Sequence, residues 1–167
     1  GGILGGDLET YTLSATGSKH WNLPWDVILN LNGSVTVVDA FSGRVPIFER
    51  QMLGGARNLR GFDTRDVGPR DSATDSVLGG NTAAYGTVEA TFPIFGQVRG
   101  AVFGDIGFVN ADSFDFGANQ IHSDVGIGVR ATIPYFGPMA LDYAFPLQSE
   151  DAADDGPRLQ IYVNYQY

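Results

Sequence analysis

The chain has 167 residues, 43% of them hydrophobic, and no cysteine, which fits about one folded domain and excludes disulfide frameworks, thiolate zinc sites and cysteine nucleophiles. A formal charge of -9 and a pI near 4.4 argue against nucleic acid as a partner, because phosphate contacts need clustered Lys and Arg. Glycine is abundant, at 23 residues, without the three-residue period of collagen, and no apolar run reaches the ~18 residues of a transmembrane helix.

The start, GGILGGD, has neither a basic n-region nor a cleavage site, so an export signal is expected upstream or already removed. Residues 8 to 16 alternate weakly, and GSKHWNLPW (17–25) reads as a short connection. Residues 26 to 38 set Val27, Leu29, Leu31, Val35 and Val37 against Asn30, Asn32, Ser34 and Thr36, a period of two. A stretch that is neither helix nor strand follows at about 39–80. Next come Val88, Ala90 and Phe92 opposite Thr87, Glu89 and Thr91, and then the short connection PIFGQ. Val98, Val102, Ile106 and Phe108 oppose Arg99, Phe103 and Asp105, before the longer NADSFDFGANQ. Val125, Ile127, Val129, Ala131 and Ile133 oppose Asp124, Gly126, Gly128, Arg130 and Thr132, ahead of the short IPYFGP. Met139, Leu141, Tyr143, Phe145 and Leu147 face away from Ala140, Asp142 and Ala144, and the long acidic QSEDAADDGPR follows. The last segment places Leu159, Ile161, Val163, Tyr165 and Tyr167 opposite Gln160, Tyr162, Asn164 and Gln166.

Seven such segments and no convincing helix make the chain all-β. Most run ~9 to 13 residues, long for a soluble sandwich and matched to the ~9 to 11 that a tilted membrane-spanning strand needs. Long and short connections alternate, as in outer-membrane barrels. The sequence therefore predicts an antiparallel transmembrane β-barrel region over residues 1–167, with about seven to eight strands. Long loops would be extracellular, and short turns and the C-terminus periplasmic. Aromatic residues at strand ends and turns (Trp21, Trp25, Phe92, Phe95, Tyr135, Phe136, Tyr165, Tyr167) would form the interfacial girdle. A soluble β-sandwich is the alternative, since its strands alternate equally well. Seven strands would leave Gly1 on the outer side, whereas a self-contained barrel has an even number and both ends inside. GGILGG covers only ~20 Å at ~3.4 Å per residue, so it cannot supply a missing span. The chain is expected to be the C-terminal part of a larger barrel, or to close through partner strands or self-association.

Connections are usually short, so the stretch at 39–80 is expected to be functional or folded inward. It holds Arg44, Arg50, Arg57, Arg60, Arg65 and Arg70, more than half of the chain's basic residues, inside an otherwise acidic protein. Such a loop can dock on lumen carboxylates by charge pairing. Its segment GGARNLRGF contains Leu59, Arg60, Gly61 and Phe62. This resembles the arginine-glycine-aromatic motif in the sixth extracellular loop of the BamA-like outer-membrane assembly superfamily. GAVFGDIG, with Phe103, Asp105 and Gly107, is similar to that family's F-x-D-x-G strand motif. The order of Gly79-Gly80, Glu89 before a proline, the G-V-R strand, FGPMALDYAFPL and an aromatic C-terminus also resembles the family's barrel end. The likeness covers nearly the whole chain, and the ordered set is far more specific than any single motif.

The resemblance implies a larger barrel of about 16 strands. It implies that Arg60 folds into the lumen, pairs with Glu89 and Asp105 and stacks near Phe103. The alternation independently puts Glu89, Phe103 and Asp105 on polar, inward faces of neighbouring strands. A planar guanidinium suits such a task, because its fork engages carboxylates bidentately and stacks on rings. Gly61 would permit a bend and close backbone approach, and Leu59 and Phe62 would anchor the tip by packing. Ile161, Val163, Tyr165 and Tyr167 resemble the β-signal by which barrel proteins are recognised, and such an edge can add a strand by β-augmentation.

The function implied is insertion and assembly of outer-membrane proteins without nucleotide or cofactor. Its partners would be outer-membrane lipid, unfolded outer-membrane protein clients and accessory assembly lipoproteins. Related two-partner secretion and autotransporter-assembly pores share the motifs, so polypeptide translocation is a second reading, and a small passive barrel a third. No catalytic constellation is evident. His20 reads as a turn residue, and His122 with Asp124 does not make a metal site. Gly126-Ile127-Gly128 and Gly104-Asp105-Ile106-Gly107 lack the helix that a phosphate loop requires. Asp151, Asp154 and Asp155 lack EF-hand spacing and read as a solvated loop. Glu89 and Asp105 as a catalytic acid pair is less favoured than an ionic lock on Arg60.

Overall fold

The computed structural model describes residues 10–117, 120–133, 137–148 and 156–163. Seven strands among them form one antiparallel sheet in strict chain order: β1 (Thr10–Leu23), β2 (Val27–Ala40), β3 (Thr82–Phe95), β4 (Val98–Asn110), β5 (His122–Ile133), β6 (Gly137–Gln148) and β7 (Arg158–Val163). Among the described residues β1 and β7 do not pair with each other, so the sheet is open along both edges. This is the barrel-type all-β sheet that the alternation predicts, unclosed within the chain.

Each strand obeys the period of two with the apolar side outward. Ile127, Leu141, Ile161 and Val102 are each 43–64% exposed, whereas their inward neighbours Asp124, Arg130, Asp142 and Asp105 are at most 2% exposed. A soluble core would invert that arrangement, and a lipid-facing wall requires it. Among the described residues no helix is long and apolar enough to cross a membrane, and strands of 12 to 14 residues (β1 to β6) provide the span instead. Trp25 and Phe95, 90% and 70% exposed, sit at the short-turn rim. Tyr135, Phe136, Tyr165 and Tyr167 lie outside the described residues, as do Asp151, Asp154 and Asp155.

Two expectations about the first hairpin are corrected. Residues 17–23 are strand, paired from Gly17↔Gly33 to Leu23↔Val27, and His20 is a strand residue bonded through Nδ1 to Asn30 Oδ1 at 2.6 Å. The turn itself is the 3-10 segment Pro24–Asp26, in which Trp25 and Asp26 adopt φ of 61° and 57°. The reason lies in the pattern: Ser18, His20 and Asn22 take inward positions, but Lys19 occupies an outward one and breaks the apolar row that should have marked the strand. Likewise β3 runs through Pro93, tolerated because the register shifts between Pro93 and Phe95.

The buried apolar cluster is built with the help of the long connection. Leu53, Leu59, Phe62 and Val67 from residues 41–81 pack with Ala83, Val109 and the partly buried Tyr85 of the wall. The inward face of a barrel is polar, so the loop brings the apolar side chains that fill it. Isolated bridges Gln51↔Gly80, Leu53↔Val67 and Arg70↔Val77 give this segment its own shape.

Candidate functional site

The tip of the loop is locally determined before it meets the wall. Asn58 Oδ1 accepts the backbone N–H groups of Gly54 and Leu59, both at 2.7 Å, which ties the two sides of the turn together. Gly55 N–H donates to the carbonyls of Leu59 and Phe62 at 3.0 and 3.1 Å, which closes the turn around Arg60. Residues 59–62 are all buried, whereas 72–76, at the far end of the same connection, are exposed.

Arg60 is 4% exposed. Its Nε and Nη2 donate to Asp105 Oδ2 and Oδ1, both at 2.8 Å, the bidentate fork that a carboxylate best accepts. Nη1 donates to Glu89 Oε2 at 2.6 Å and to Asp142 Oδ2 at 3.4 Å. The guanidinium carbon stands 3.4 Å from the centroid of the Phe103 ring. Burial disfavours the charge, and hydrogen bonding and attraction from Asp105 and Glu89 more than offset it, holding the guanidinium pKa above its ordinary value. The structure thus gathers Arg60, Glu89, Phe103 and Asp105 at one place.

Glycines make the approach possible. A Cβ at Gly61 would stand 2.5 Å from Asp124 Cβ and 3.2 Å from Pro146 N, and Gly61 is absent from the positive-φ positions. Close approach, rather than an unusual bend, is what requires glycine there. Gly107 leaves room for Leu53, whose Cδ1 would lie 3.0 Å from an added Cβ. Gly126, opposite Phe103 in the register, leaves the space the aromatic ring fills.

A second arginine completes the cluster. Arg130 Nη2 and Nε reach Glu89 Oε2 and Oε1 at 2.5 and 3.2 Å, and Arg130 also pairs with Asp142 through Nη1. Tyr162 donates its hydroxyl to Asp142 Oδ2 at 2.9 Å. Asp124 sits across from Asp105 between β4 and β5. Gln160 Nε2 donates to the carbonyl oxygens of Arg60 and Phe62 at 3.5 and 3.4 Å. Arg130, Asp142, Gln160 and Tyr162 were legible as inward positions of their strands, but the motifs carried no cue to their joining Arg60. Ile161 and Val163 do not join them: they point outward, 64% and 50% exposed, and Tyr165 and Tyr167 lie outside the described residues. His122 stacks edge-on against Phe62, with centroids 5.3 Å apart. A cavity of about 590 Å³ lies beside the cluster, lined among others by Thr16, Ser18, Asn32, Arg57 and Thr87.

Arranged in this way, two guanidinium groups and three carboxylates can hold a loop against four strands. Nothing in the arrangement positions a nucleophile beside a base.

Comparison with known proteins places this geometry in a family. The Omp85 superfamily domain matches residues 1–166. The outer membrane protein assembly factor BamA of Nitratidesulfovibrio vulgaris (strain Hildenborough) is 29% identical over 168 residues, covering 93% of this chain and 20% of that protein. The BamA of Neisseria meningitidis serogroup B is 26% identical, over 96% of this chain and 24% of that protein. The chain therefore spans about a fifth to a quarter of the length of these relatives. The crystal structure of BamA from Haemophilus ducreyi lacking POTRA domains 1–3 superposes with a TM-score of 0.81 at 23% identity, over 95% of this chain and 35% of that one, which establishes the shared fold. The chain belongs to the Omp85 superfamily, as the C-terminal part of its barrel.

Proposed function

We propose that this chain is the wall and lumen loop of an outer-membrane machine that folds and inserts other outer-membrane β-barrel proteins. The family membership supports outer-membrane protein assembly as the general role, and the relatives' names carry the same wording. The observation that carries the finer reading is the fourfold engagement of Arg60 by Asp105, Glu89, Asp142 and Phe103. An assembly factor must keep its shape while its seam opens toward the bilayer. A loop fastened to β3, β4 and β6 at once would provide that rigidity. Residues 1–167 form one barrel region with residues 39–80 as the inward loop, the short turns on the periplasmic rim and the long loops outside. The last strand, with Ile161, Val163, Tyr165 and Tyr167, acts as a recognition edge. Its clients are unfolded outer-membrane proteins, and assembly lipoproteins are its accessory partners.

The test is Arg60→Ala in the full-length protein reconstituted in vesicles. Insertion of a radiolabelled barrel client is expected to fall by about tenfold or more, and the loop to become protease-sensitive between Gly54 and Asp66. Full insertion activity with an unchanged digestion pattern would overturn the proposal.

A further inference from the structure

Register assigns a face to every residue of the sheet, because paired residues of an antiparallel ladder project to the same side. Lys19 pairs with Leu31, which continues through Val88, Gly104 and Val125 to Phe145. Leu31, Val88, Val125 and Phe145 are outward residues, 41–48% exposed, whereas Asn30, beside Leu31, is 2% exposed and inward. Lys19 is therefore on the lipid-facing side. It is exposed and makes no hydrogen bond or ion pair among the described residues. Among the described residues, the only other charged group on that side is Asp39, near the opposite rim and hydrogen-bonded to the Tyr11 hydroxyl at 3.2 Å.

A lone cation in an apolar wall must reach polar surroundings or meet an anion. Two features fix how it can do so. Trp21 is the next outward residue toward the turn, and Trp25 lies in the turn; tryptophan settles at the headgroup level. At a strand tilt near 45° Lys19 stands about 5 Å inward of Trp21 along the membrane normal. A lysine stem can extend by about that length toward the interface.

We infer that Lys19, with Trp21 and Trp25, forms a binding site for the phosphodiester of an anionic glycerophospholipid in the leaflet at the short-turn rim. The lysine supplies the counter-charge, the indoles cover the glycerol and upper acyl region, and the outward Leu31 and Val88, in the same ladder row as Lys19, flank the acyl chain. The inference rests on the membrane-embedded reading above. It adds a specific lipid contact on β1, away from the Arg60 cluster.

The experiment uses the full-length protein in phosphatidylcholine vesicles carrying a trace of photoreactive phosphatidylglycerol, with photoreactive phosphatidylcholine as the comparison. Wild type is expected to cross-link phosphatidylglycerol on the peptide that contains Trp21 about fivefold more than phosphatidylcholine, the bias one lysine gives near an anionic lipid surface. Lys19→Gln is expected to lose the bias and Lys19→Arg to keep it, both inserting as wild type does by protease protection. Equal labelling by the two lipids in an inserted wild type, or an undiminished bias in Lys19→Gln, would overturn the site and leave the barrel reading standing. Failure of wild type to insert would overturn both.

Discussion

At 4% exposure the Arg60 guanidinium has given up almost all of its hydration, a loss of several kcal/mol that only well-aligned acceptors offset. Asp105 meets it with two parallel 2.8 Å bonds and Phe103 with a ring face at 3.4 Å. Removing the arginine leaves the buried Asp105 without its guanidinium partner, while Glu89 and Asp142 keep Arg130, so Arg60→Ala is expected to cost about 3–5 kcal/mol in thermal or denaturant unfolding of the full barrel in detergent. Arg60→Lys keeps the charge but cannot fork, and should lose about 1–3 kcal/mol in the same measurement. Gly61→Ala tests a different cause. Its Cβ would collide with Asp124, so protease protection of the tip should fall although every charge remains. Leu59, Arg60 and Phe62 were readable from sequence because apolar residues beside an arginine are anomalous in a surface loop. Arg130 and Asp142 were not, since a charge at an inward strand position is ordinary in a barrel and only the fold brings these two to Arg60.

At the scale of the strand, side alone decides what a charge costs. Ile127, 59% exposed and mid-strand, faces outward, and Ile127→Lys is expected to destabilise the inserted barrel by about 2–4 kcal/mol. Thr87 faces the cavity, and Thr87→Lys should be nearly neutral in the same unfolding assay. The strands were legible wherever polar and apolar residues alternate, from β2 to β7, although β3 was read short of its ends at Thr82 and Phe95. β1 was read short because Lys19 and glycine interrupt its outward row, while the hydrogen-bond ladder with β2, which fixes it as strand to Leu23, leaves no trace in its own residues.

For the molecule as a whole, the linear order from β1 to β7 leaves two unpaired edges. Free backbone donors and acceptors along such edges pair with whatever strand is near. The 167-residue chain refolded alone in detergent micelles is therefore expected to associate, and light scattering should show species larger than one chain with its micelle. A discrete monomer resisting heat in gel electrophoresis would instead mean that the edges find each other. The odd strand number and the alternating connections pointed to an incomplete cylinder, and the open sheet agrees.

The partners of Arg60 lie 29, 45 and 82 residues away in sequence, on β3, β4 and β6. The full set of contacts needs all three strands, each standing beside its neighbour when the guanidinium arrives. The clasp can therefore close only late in biogenesis, once the hairpins have crossed the bilayer in order, and its closure reports that this part of the wall is complete. A chain whose β4 has not yet been laid down would keep a mobile, protease-accessible tip, so timed digestion during biogenesis could follow the strands as they join the wall.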